Sequence, residues 1–357
     1  MDIQKLRDEL DQADMWSAIR GCPDQFTHIL TTYGDWKPRE PITEPRQVLF
    51  LGMGGSAIGG DMVRVWVDRL AAVPMTVVRQ YTVPSWVDRE TLVVVSSYSG
   101  DTEETLSAVQ QAAGQGGRVV AIASGGQLAQ LSRKSGWDFI EIPVGFQPRA
   151  AIGYSVAATA IVLTAFQVLP LDIVGELEEG ARVMELEGRQ WADPDASENE
   201  PLELAQQLVT RLPIIYGVTG TTEALAVRFR GQLAENSKLL ASHHLLPEQN
   251  HNEIVGLAER LKEIGDPMVV WLLDREDHER IKLRQELSAR LAGTKEPLVA
   301  SQPLEYALSG AGESLIQRNL SLLHRIDWVS YYVALLRGHD PSAIAILTKL
   351  KSEMSRS

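Results

Sequence analysis

The sequence predicts an α/β protein of two lobes, each a mostly parallel sheet flanked by helices, and three observations lead there. Five short apolar runs alternate with amphipathic segments between Gln47 and Val144. Strands that are apolar throughout, separated by helices, belong to a parallel sheet covered on both faces. Past an acidic stretch, the same order of strand, small polar turn and helix restarts after Leu202. A chain of 357 residues also exceeds what one small core organises.

In chain order, Asp2 to Gly21 reads as a polar helix within an N-terminal helical segment, 1–46, packed on the outside. Strands are expected at Val48–Met53, Met75–Tyr81, Leu92–Ser97, Val119–Ala123 and Phe139–Val144. With the apolar helix Ala150–Val168 they complete a first lobe, 47–170. Between Asp172 and Glu203 stand 11 acidic and 2 basic residues, a local balance of −9 within a total of −13. The turn-forming run Trp191 to Pro201 makes this an exposed connection flanked by helix, 171–201, with a solvated acidic face. The second lobe, 202–357, opens with helix Leu202–Arg211, strand Pro213–Val218, the turn Thr219-Gly220-Thr221-Thr222 and helix Glu223–Glu235. Strands Met268–Asp274 and Leu298–Ser301 flank helix Glu279–Leu291. A long helix, Glu313–Arg337, and a tail helix, Pro341–Met354, close the chain.

Charge and composition exclude several classes. The acidic balance argues against nucleic acid and anionic membranes as partners. No apolar stretch approaches the ~20 residues that a bilayer requires, and Met1 to Lys5 resembles neither a signal nor a transit peptide, so a cytoplasmic protein is expected. Cys22, the only cysteine, permits no intrachain disulfide and reads as a bland near-surface residue.

The chemistry begins at Gly54-Gly55-Ser56-Ala57-Ile58-Gly59-Gly60-Asp61, between an apolar strand and a helical pattern. A helix start carries unpaired N–H groups and partial positive charge, and glycines let the backbone approach a ligand, so this is an anion site. The dinucleotide spacing is partly matched by Gly52, Gly54 and Ala57. A dinucleotide site, however, wants a carboxylate at the end of the next strand, where Arg79-Gln80-Tyr81 stands. A second hydroxyl-rich turn, Ser97-Tyr98-Ser99-Gly100-Asp101-Thr102, precedes another helix. With Ser56, its Ser97, Ser99 and Thr102 suit one phosphate; the alternative is that they merely cap helices.

In the second half, Glu235 falls near the C-terminal end of its helix, where the dipole disfavours a carboxylate. A raised pKa suited to a general base is one reason to keep it there, and simple solvent exposure is the other. His251, in a polar turn, can move a proton near neutral pH. His243 and His244 with His251 could suggest zinc, but adjacent residues of a strand point to opposite faces.

Taken together, the Gly54–Asp61 and Ser97–Thr105 turns, Gln147-Pro148-Arg149-Ala150-Ala151-Ile152-Gly153-Tyr154, Glu235-Asn236-Ser237-Lys238 and Pro247-Glu248-Gln249-Asn250-His251-Asn252-Glu253 resemble the bifunctional phosphoglucose/phosphomannose isomerases. These are proteins of two sugar-isomerase (SIS) lobes, and the resemblance runs from about Gln47 to Lys351. It implies that Gly55, Ser56, Ser97, Ser99 and Thr102 hold the phosphate of a hexose 6-phosphate, that Arg149 steadies an enediolate, and that Glu235 shuttles the proton between C1 and C2. It further implies a homodimer in which His251 reaches in from the partner subunit, and a C-terminal lysine, Lys351 with Lys349 as competitor, that assists ring opening. No metal or redox cofactor is required. Where the family often has Asn, this chain has Asp101, an acid tolerable beside a phosphate only if it turns away to cap a helix. A non-catalytic sugar-phosphate sensor is the alternative from another class. A glucosamine 6-phosphate synthase would carry a preceding glutaminase domain with an N-terminal cysteine.

Overall fold

The structure, a computed structural model, describes residues 2–40, 44–260, 267–293 and 304–354. Its N-terminal region is three helices, α1 (Ile3–Leu10), α2 (Met15–Arg20) and α3 (Cys22–Tyr33), rather than one. Asp14 adopts a left-handed conformation (φ 54°) and caps Ser17, and the Asp11 carboxylate takes the Met15 and Trp16 N–H groups, so two acids break the helix. Nor does the segment lie outside: Met15, Ile19, Cys22, Phe26 and Ile29 are buried. Cys22 is a core residue, and burial pushes its thiol up to about 12, which makes it unreactive.

The first lobe follows as β1 (Gln47–Leu51), α4 (Gly54–Leu70), β2 (Met75–Val78), β3 (Thr91–Ser96), α5 (Glu103–Gly114), β4 (Arg118–Ala123), α6 (Gly126–Ser135), β5 (Asp138–Glu141) and α7 (Ile152–Ala165). A 3-10 turn, Pro148–Ala150, leads into α7. All pairings are parallel, in the order β2-β1-β3-β4-β5. Val48, Leu49, Phe50 and Leu51 are all fully buried because the sheet is covered on both sides. Val48 and Phe50 face the core shared with α3, α4 and α7, while Leu49 and Leu51 face the one under α5 and α6. α7 is apolar all round, as a fully enclosed helix must be.

The acidic stretch is mostly helix: α8 (Ile173–Trp191), then α9 (Glu200–Leu208). Ile173, Leu177, Ala181, Met184, Gly188 and Trp191 recur every three or four residues and are buried, which leaves Glu178, Glu179 and Glu185 toward solvent while Glu176 accepts from Ser314 and Gln317 and Glu187 from Ser321 and Arg325. Each such Leu or Met contributes about 1.5–3 kcal/mol by leaving water.

The second lobe has β6 (Leu212–Val218), α10 (Glu223–Ser237), β7 (Ser242–Leu246), α11 (Glu253–Arg260), β8 (Pro267–Leu272), α12 (Glu279–Gly293) and β9 (Leu304–Leu308), again parallel and ordered β7-β6-β8-β9. The strand expected at Leu298–Ser301 lies outside the described residues. α13 (Leu315–Leu336) runs through the middle against α8, α9 and α10, and α14 (Ala345–Met354) follows. Nearly all of α13 is buried, so its polar side chains must be bonded. Arg318 grips Asp274 (Nε 2.7 Å), and Asp327 takes both Nε and Nη2 of Arg228 and Nε2 of Gln232. Breaking either buried pair by removing one partner would cost about 3–5 kcal/mol. One core cluster includes residues of both lobes, so neither sheet is closed without the other.

Candidate active site

The first lobe changes strand order between β1 and β3, and the turns that follow those strands meet at the crevice where open α/β sheets bind ligands. No side chain caps the N-terminus of α4, whose first intrahelical bond runs from the Ala57 N–H to the Met53 carbonyl, so the N–H groups of Gly54, Gly55 and Ser56 have no acceptor within the helix. Gly55 is required by proximity: a Cβ there would stand 3.0 Å from the Pro148 carbonyl oxygen and 3.1 Å from Arg149 Cα. In the facing turn Ser97 Oγ lies 2.9 Å from Thr102 Oγ1, and the Tyr98 N–H donates to Ser56 Oγ at 3.3 Å, which ties the two turns together. Ser99 is exposed, its Oγ accepting from the Asp101 N–H. Asp101 turns its carboxylate onto the Gln127 N–H (2.9 Å), in the first turn of α6, and so leaves the crevice.

Arg149, from the 3-10 turn, is only 3 % exposed and crosses to the second lobe. Its Nε donates to Asn236 Oδ1 (2.6 Å), Nη1 to Glu235 Oε2 (3.5 Å), and Nη2 to the carbonyls of Pro341 (2.7 Å) and Ser342 (3.3 Å). Burial pulls the guanidinium below its ordinary pKa and the Glu235 carboxylate opposes that. Glu235 stands on the last turn of α10 with its side chain 36 % exposed, open to the crevice. The Lys238 ammonium closes that helix end, donating to the carbonyls of Glu235 (3.0 Å), Asn236 (3.1 Å) and Asp340 (2.5 Å).

The corresponding turn of the second lobe is filled from within. Glu223 accepts the Gly220 N–H (3.0 Å) and pairs with Arg64 of α4. Thr221 donates to Asp277 (2.6 Å) and Thr222 to the Leu272 carbonyl (2.7 Å). The Gly220 N–H and both threonine hydroxyls are thus spent on the protein's own oxygens, and the Glu223 carboxylate stands at the start of α10.

Among the expected site residues, then, Gly55, Ser56, Ser97, Thr102, Arg149 and Glu235 form one chain of contacts, with Ser99 on its rim. His251 and Lys351 do not join it within the chain. His251 ends a 3-10 turn after β7 and is exposed, and Lys351 lies on α14, a helix with no buried residue. Lys349 approaches Glu353 at 3.9 Å. His243 and His244 are consecutive on β7. Among the described residues no three of His, Cys, Asp and Glu converge to hold a metal ion, and no helix is long and apolar enough to cross a membrane.

Sequence reasoning passed over Gln25, which α3 places against the backbone that follows Arg149. Its amide donates to the Ala150 carbonyl (2.6 Å) and accepts the Gly153 N–H (2.9 Å). No local signal marks it, since its partners lie 125 and 128 residues away. Asn236 and Lys238 sit beside the expected base, and only their partners' positions show what they do.

Two family models match the chain: SIS domain over residues 41–168, and bacterial phospho-glucose isomerase C-terminal SIS domain over 197–354. The chain is 39% identical to a bifunctional phosphoglucose/phosphomannose isomerase from Caldicellulosiruptor bescii, with 96% of this chain and 99% of that protein covered. It is 32% identical to one from Aquifex aeolicus, with coverage again 96% and 99%. Among solved structures, the C-terminal domain of glucosamine-fructose-6-phosphate aminotransferase from Francisella tularensis superimposes with a TM-score of 0.70 at 16% identity. That match covers 95% of this chain and 99% of the other, a likeness of fold.

Proposed function

The chain belongs to the family of bifunctional phosphoglucose/phosphomannose isomerases, and on that premise we propose that it interconverts glucose 6-phosphate and mannose 6-phosphate with fructose 6-phosphate. The observation that carries the reading is the pairing of Arg149 with Glu235 beside a glycine-rich helix start that no side chain caps. The phosphate is held by the Gly55 backbone and by Ser56, Ser97, Ser99 and Thr102, which fixes the reacting carbons and supplies orientation. Glu235 removes the proton from C2 of the open-chain aldose. The C2–H electrons form the C1–C2 double bond of a cis-enediol, and charge developing on oxygen is met by Arg149. Return of that proton to C1, with the O2 hydroxyl proton passing to O1 as the C2–O double bond forms, gives the ketose. C2 of the enediol is trigonal, so rotation about C2–C3 lets the same base serve both aldoses. His251 of a second subunit and Lys351 assist ring opening, and the protein acts in the cytoplasm as a homodimer. Lobe boundaries at 47–170 and 202–357, with 171–201 between them, are part of the same reading.

A coupled assay with each hexose phosphate tests the activity, and Glu235→Gln tests its centre. The variant should still bind sugar phosphate but lose isomerisation and solvent-proton exchange at C2. Retention of more than about a tenth of kcat, a barrier change of barely 1.4 kcal/mol, would remove Glu235 from the role.

A further inference from the structure

Asn236 is fully buried, so both ends of its amide must be satisfied, and its two partners fix which way it points. Arg149 Nε is a donor only, so the atom facing it at 2.6 Å is the amide oxygen. The amide nitrogen then faces Ser330 Oγ at 2.9 Å. The Ser330 hydroxyl proton is spent on the Asp327 carbonyl (2.7 Å), which leaves its oxygen to accept. The same stretch of α13 holds the other end of Arg149, because Asp327 grips Arg228, whose Nη2 donates to the Arg149 carbonyl at 3.0 Å. With Nε on Asn236 and Nη2 on Pro341 and Ser342, the one edge of the guanidinium that faces Glu235 is Nη1.

We propose that Asn236 is a positioning residue that sets the rotation of the Arg149 guanidinium, so that its Nη1 edge is presented to the reacting oxygens beside Glu235. This rests on the role given above to Arg149. A planar fork clamped on two of its three nitrogens cannot pivot, and a donor that need not reorganise stabilises developing charge best. Asn236 acts through Arg149 and touches no substrate.

The test is steady-state kinetics of Asn236→Ala, Asn236→Asp and Arg149→Lys, with thermal unfolding of each. Asn236→Ala should lower kcat at least tenfold while KM stays within threefold. Asn236→Asp, which keeps an oxygen toward Nε, should recover kcat to within threefold of wild type. A kcat for Asn236→Ala within twofold of wild type overturns the proposal, as does a loss confined to KM or an equal loss in both Asn236 variants. Wild-type kcat in Arg149→Lys would instead sink the role of Arg149 itself. If Asn236→Ala does not fold, Ser330→Ala decides, because it frees the amide without removing it. A kcat loss of threefold or more at unchanged KM supports the clamp, and an unchanged kcat overturns it.

Discussion

Uncharged hydroxyls grip the phosphate in this reading, and their geometry makes an expectation specific. Ser97 and Thr102 already share a hydrogen bond, whereas Ser99 spends its oxygen only on a local N–H. Replacing Ser99 and Thr102 together with alanine should weaken hexose-phosphate binding, each lost bond to the charged group being worth roughly 1.5–3 kcal/mol. Calorimetry should show this as a higher Kd, and unchanged affinity would place the phosphate elsewhere. The hydroxyls were legible in the sequence because turn chemistry is local. The direction of Asp101 was not, because the Gln127 N–H that claims it arrives from another helix.

Helix α8 illustrates the next scale. Its apolar spacing was in the letters, yet the acids beside it read as a connection, because a solvated face and a loop share composition. What makes α8 a structural element is contact with α13, which Gly180 and Gly188 both face closely. A Cβ at Gly188 would stand 2.5 Å from Cε1 of the fully buried His324 ring. Gly188→Ala should therefore lower stability by about 1–3 kcal/mol through overpacking. Urea unfolding measures it, and a midpoint equal to wild type would show that the ring moves aside freely.

At the scale of the molecule, His324 joins distant helices. Nδ1 faces the Met184 carbonyl (3.1 Å), and Nε2 faces both the Ile19 carbonyl (3.1 Å) and the Trp328 Nε1 donor (2.9 Å); a neutral ring with its proton on Nδ1 serves Met184 and accepts from Trp328. Burial lowers its pKa from 6.5 to about 4. Protons therefore bind the unfolded state first as pH falls. The stabilisation is complete above about pH 6.5 and is lost on the way down to about pH 4, some 3 kcal/mol in all. His324→Gln should flatten unfolding free energy against pH over that window, and an unaltered slope would assign acid sensitivity to other groups. The same scale holds the claim about His251, which is exposed and does not join the site of its own chain. If it serves a partner's site, inactive His251→Ala and Glu235→Gln chains that exchange subunits should form heterodimers with one intact site, as two-fold symmetry demands. Recovery approaching half the wild-type activity per heterodimer is expected. No recovery despite verified exchange would return His251 to its own chain.

The sequence by itself determined the parallel strands, the glycine-rich helix start, the hydroxyl turn and the residue types at Arg149 and Glu235. Each of these is written in short-range spacing, and backbone sterics and burial act over a few residues. Only the tertiary structure decided that Arg149 crosses between lobes to meet Glu235 and Asn236, that Gln25 of an N-terminal helix holds the neighbouring Ala150 carbonyl from 125 residues away, and that Glu223 and Asp277 take up donors of the second lobe's own turn. Those outcomes depend on how a core shared by both lobes closes, and pairings made by that closure leave no periodic trace in the chain.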